Sequence, residues 1–60
     1  MMEELINKMV RYRAVESISQ AELAKRCKVS LQTINSIEAG LQEPSKVTKE
    51  KILLVVDREV

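Results

Sequence analysis

An all-α fold, a compact domain of four helices, is predicted by three features of this 60-residue chain. One Gly and one Pro leave few helix breakers. Apolar residues recur three and four positions apart, as one face of a helix requires, and serines stand just ahead of the periodic runs, where their side chains can cap free backbone N–H groups. The first helix is expected over residues 2–15, with Leu5, Ile6, Met9, Val10 and Ala14 on its inner face. Ser19-Gln-Ala-Glu22 reads as a capping box that opens a second helix over 20–27, with Leu23, Ala24 and Cys27 inward. Lys28-Val29 makes a turn. Ser30 caps a third helix over 31–39, which turns Ile34 and Ile37 inward and stops at Gly40 as a C′ residue. Pro44-Ser45 closes a short loop and opens a fourth helix over 46–58 that carries Ile52, Val55 and Val56 inward.

Composition narrows the function. A chain this short makes one domain, spanning 1–60, and buries only about 60% of the surface its unfolded state exposes. Cys27 is the single cysteine and there is no histidine. These counts exclude an internal disulfide and the usual zinc ligand sets, and no carboxylate pair falls near a plausible pocket. The chain is therefore read as a non-enzyme that needs no metal or cofactor, with Cys27 as a small core residue and no small-molecule ligand evident. No apolar run approaches the ~18 residues of a membrane span. The acidic Met1-Met2-Glu3-Glu4 start is unlike a secretory leader, so a cytoplasmic location is expected.

The net charge of +1 is small, and its distribution says more than its sum. Residues 31–45 hold no base, only Glu38 and Glu43, whereas Lys25, Arg26 and Lys28 precede them and Lys46, Lys49 and Lys51 follow. Bases flanking an uncharged helix face suit phosphate contacts around a surface that reads bases. An ordinary mixed-charge surface would have the same composition.

Two charges fall where apolar residues belong. Leu5, Met9 and Arg13 are spaced by four, which puts Arg13 on the inner stripe of the first helix. Ile34 and Glu38 are also four apart. Opposite charges driven toward one small core are expected to meet as an ion pair, bidentate where geometry permits. Spacing alone is equally met by two boundary charges that reach water separately.

The stretch from Ser19 to Gly40, SQAELAKRCKVSLQTINSIEAG, resembles the helix-turn-helix of the lambdoid phage repressor and Cro family. The resemblance covers roughly residues 5–44. It rests on Gln20, Leu23-Ala24, Val29-Ser30, Ile34, Ile37 and Glu38-Ala39-Gly40, with Arg13 where that family often pairs an arginine to the glutamate matched by Glu38. It implies a regulator that puts the N-terminal half of the third helix into the major groove of double-stranded DNA. Base-contacting positions then fall on Leu31, Gln32 and Ser36, with Asn35 one turn after Leu31. The resemblance puts a phosphate-contacting role on Gln20, and further phosphate contacts are expected from Lys28, Ser30, Thr33 and Lys46. The side chains suit these places: Gln32 or Asn35 can read an adenine edge, Leu31 can pack on a thymine methyl, and Ser36 can donate or accept. With no arginine in this helix, A·T-rich specificity is expected. Departures from the family are Lys28, where glycine is usual because the position tends to φ > 0, and Glu43, which would repel a phosphate.

The run Ile52-Leu53-Leu54-Val55-Val56 is apolar on more than one face. Leu53 with Val60, or Val47 with Leu54, would be left over to form a weak homodimer through the C-terminal helix; the alternative is that a small bundle uses them all internally. The competing function is a helical protein-interaction module of adaptor or antitoxin-like kind. Salt separates the two, because phosphate neutralisation makes DNA affinity fall steeply with ionic strength.

Overall fold

The structure, a computed structural model, describes residues 2–57. Among these residues are four helices, α1 (Met2–Glu16), α2 (Gln20–Cys27), α3 (Leu31–Glu38) and α4 (Lys46–Val56). The expected element order is met, with α1 one residue longer and α3 one shorter than the sequence suggested. The expected end of α4 at residue 58 lies outside the described residues; within them α4 ends at Val56 and Asp57 caps it.

Each of the three later helices starts on a serine in extended backbone. The Oγ atoms of Ser19, Ser30 and Ser45 accept from the backbone N–H groups of Glu22, Thr33 and Thr48 at 3.1, 3.1 and 3.2 Å. Each bond satisfies an N–H that the helix cannot pair internally. The Glu22 carboxylate is turned to Arg26 Nε at 3.3 Å.

The first three helices also stop in one way. Ile18 N–H donates to Arg13 O at 3.0 Å and Ser17 N–H to Ala14 O at 3.3 Å; Val29 N–H to Ala24 O at 3.0 Å and Lys28 N–H to Lys25 O at 3.2 Å; Leu41 N–H to Ser36 O at 2.9 Å and Gly40 N–H to Ile37 O at 2.9 Å. Each pair closes the last turn with one long and one short backbone bond around a left-handed residue. Those residues are Ser17 (φ 57), Lys28 (φ 61) and Gly40 (φ 75). The residue after each is apolar. Ile18 and Val29 pack against the core, whereas Leu41 is 80% exposed.

One core serves all four helices. Leu5 and Met9 from α1, Leu23, Ala24 and Cys27 from α2, Ile34 and Ile37 from α3 and Ile52 from α4 are buried. Ile6, Tyr12, Leu53, Val55 and Val56 lie half-buried against them. Ala24 is small where α2 lies along α3, its closest neighbour. Burial raises the Cys27 thiol to about 11, so it stays protonated and shielded at neutral pH.

Two expected inner residues are corrected. Val10 is 45% exposed and Ala14 is also exposed. The inner stripe of α1 is narrower than its apolar content suggested, because α1 packs chiefly against α3 and α4. The stripe continues instead through Tyr12, whose hydroxyl accepts from Arg26 Nη1 at 3.1 Å. Arg26 also bonds Glu16 Oε1 at 2.9 Å and lies 6.0 Å from the Tyr12 ring centroid, clasping α1 to α2 at the surface. Lys8 and Asp57, 3.1 Å apart, do the same for α1 and α4.

A lysine in the left-handed region carries a Cβ penalty that glycine avoids. Lys28→Gly is therefore expected to raise stability by up to about 1 kcal/mol in urea unfolding, less what glycine loses in chain entropy. A clear loss of stability would contradict this reading of the turn.

Candidate nucleic-acid interface

The α2–turn–α3 unit is built from the inside outward. Ile34 and Ile37 are 0% and 1% exposed, and they anchor α3 against the core. Residues 31, 32 and 35 on the opposite side are exposed, with Leu31 at 49%, while Thr33 and Ser36 are half-buried. The outer face of α3 thus presents Leu31, Gln32, Asn35 and the hydroxyl-bearing Ser36 as a neutral surface. At its start, the Ser30 and Thr33 hydroxyls share a hydrogen bond of 2.8 Å, so both belong to the cap. Lys28 is exposed beside them in the turn, and Lys46 is exposed in the first turn of α4, across the 39–45 loop.

Beneath this face runs a polar chain from α1 to α3. Arg13 Nε donates to Glu38 Oε2 at 2.9 Å and Nη2 to Oε1 at 2.8 Å, a bidentate pair. The Glu38 side chain is 7% exposed and that of Arg13 24%. The hydrogen bond to Glu38 raises the Arg13 pKa, against desolvation, with Coulomb attraction adding to it. The guanidinium therefore remains charged throughout the working pH range. Its third nitrogen, Nη1, leans toward Ile18 O at 3.5 Å, a contact too long to contribute much.

Gln20 extends the chain. Its Nε2 donates to Glu38 Oε1 at 2.9 Å, and its Oε1 accepts from Asn35 Nδ2 at 3.1 Å. Arg13, Glu38, Gln20 and Asn35 are thus brought into one network. Leu31, Gln32 and Ser36 share the outer face without joining it, and Lys28 and Lys46 stand apart at the flanks. The bond between Gln20 and Asn35 was not foreseen. Its signal is the three-residue spacing of Asn35 and Glu38, which puts both on the side of α3 that faces the start of α2.

A helical bundle that closes a part-buried ion pair beneath the exposed, uncharged face of one short helix has the layout of a helix-turn-helix domain. The helix-turn-helix family matches the chain over residues 11–57, and the chain belongs to that family. It is 49% identical over 39 residues to an uncharacterized HTH-type transcriptional regulator of Methanocaldococcus jannaschii. That match takes in 65% of this chain and 59% of the relative, so the chain spans less than two thirds of the relative's length. No solved structure matches it closely.

A carboxylate held this far from water makes the pair costly to break. Glu38→Ala is expected to lower unfolding free energy by about 3 kcal/mol, because it strands Arg13 and frees Gln20. The exposed Glu43→Ala is expected to change it by less than about 0.5 kcal/mol. Equal urea midpoints for the two variants would contradict the structural role of the pair.

Proposed function

We propose that the chain is a sequence-specific double-stranded DNA-binding transcriptional regulator, a repressor that occupies an operator through the major groove. The observation that carries this reading is the neutral outer face of α3, held rigidly outward by Ile34 and Ile37 and by the Arg13–Glu38 pair. Membership of the helix-turn-helix family and the similarity to a transcriptional regulator support it. Leu31 packs on a thymine methyl, Gln32 reads an adenine edge, and Asn35 and Ser36 complete the base contacts. Lys28 and Lys46 supply charge to phosphates on either side, with Gln20, Ser30 and Thr33 placed to add backbone-positioning bonds. Repression by occupancy requires no catalytic step and suits a cytoplasmic protein.

The domain acts as a weak homodimer through α4. Val47 and Leu54 are 63% and 77% exposed there, and Leu53 is half-buried beside them. Val60 lies outside the described residues. Two copies related by a two-fold axis would read half-sites about one DNA turn apart. The same exposed apolar side chains favour the second reading, a protein-interaction module.

Selection of bound sequences from a random duplex pool tests the proposal. An A·T-rich palindrome with half-sites one turn apart is expected, with affinity falling steeply as salt rises. No enrichment over the starting pool, or affinity indifferent to salt, would overturn it in favour of a protein partner.

A further inference from the structure

We propose that Gln20 is a positioning residue that fixes which end of the Asn35 carboxamide faces the base, and thereby sharpens its preference for adenine over guanine. This rests on the DNA-reading role proposed for α3. The argument is one of hydrogen-bond polarity. The Glu38 carboxylate accepts from Arg13 at both oxygens and so presents only acceptors. The Gln20 group 2.9 Å from Glu38 Oε1 must therefore be its NH2. That leaves Gln20 Oε1 as the end that meets Asn35 at 3.1 Å, and an oxygen there demands a donor. Asn35 must answer with its own NH2, so its Oδ1 is turned away from Gln20. Flipping either amide would set oxygen against oxygen. The hydrogen-bond polarity fixed by Arg13 in α1 is in this way relayed, through two amides, to a side chain exposed on α3.

The base edges distinguish the two orientations. Asn35 keeps Oδ1 as an acceptor and one of two Nδ2 hydrogens as a donor, the other being committed to Gln20. That pair matches the N6 donor and N7 acceptor of adenine in the major groove. Guanine offers two acceptors, O6 and N7, so Oδ1 would face O6 with no hydrogen between them. Turned over, the amide would give Nδ2 to O6 but set Oδ1 against N7, so guanine gains at most one hydrogen bond from Asn35, and only with loss of the bond to Gln20. Without Gln20, Asn35 can turn to make that single bond to guanine without losing another, and the distinction narrows.

Selection from a random duplex pool with the intact protein, Asn35→Ala and Gln20→Met tests this, each variant first shown by its thermal melt to be folded. Asn35→Ala is expected to flatten one column of the enriched site. In that same column, Gln20→Met is expected to lower the adenine-over-guanine preference several-fold without abolishing it, with the other columns unchanged. If Gln20→Met fails to fold, Gln20→Ala removes the same carboxamide at a position that favours helix. A column whose adenine-over-guanine preference is untouched by loss of Gln20, whether or not overall affinity falls with a lost phosphate contact, overturns the inference while leaving the DNA-binding reading intact. No enriched site for the intact protein overturns both.

Discussion

Glu38 ends α3 with its carboxylate almost wholly removed from water, and a charge in that position must be met by fixed donors or the fold loses several kcal/mol. Arg13 supplies two of them and Gln20 a third. Because Arg13 comes from α1 and Gln20 from the first residue of α2, this one carboxylate ties three helices to a common point. The apolar contacts of Ile34 and Ile37 are non-directional and would tolerate rotation of α3. The bidentate geometry of a guanidinium on a carboxylate would not. Burial therefore holds α3 against the core, and the ion pair sets which of its sides looks outward.

The remaining devices keep short helices in place around that point. α2 and α3 have eight residues each, too few to be stable alone in water. Serine caps at their starts and paired backbone bonds at their ends satisfy groups that so short a helix would otherwise leave exposed. The turn between them is correspondingly tight. Its left-handed residue is a lysine, which accepts backbone strain where an exposed cation is adjacent to the proposed reading face.

Features governed by local chemistry were legible in the sequence. Three serines followed at once by periodic runs mark three helix starts, and Gly40 marks the end of α3 because its positive φ suits a residue without a side chain. The inward turn of Arg13 and Glu38 follows from four-residue spacing, although spacing alone left their meeting undecided. Ser17 was not legible as a stop, because it carries no glycine signal and takes φ 57 only under the backbone bonds of Ile18 and its own N–H. Val10 and Ala14 misled for another reason. Helical periodicity shows which residues share a side, but the width of the buried stripe depends on how many helices press on it. The bond from Gln20 to Asn35 spans two elements, so neither helix read alone contains it. The outer placement of Leu31 and Gln32 needed only the positions of Ile34 and Ile37.

A double-mutant cycle on Arg13→Leu and Glu38→Leu, followed by urea unfolding, measures the central constraint without reference to any ligand. Residues joined in one network are expected to couple, here by about 1–3 kcal/mol, with the double variant more stable than the two single losses would sum to. Additivity to within about 0.5 kcal/mol would mean that the two charges act independently and that packing alone orients α3.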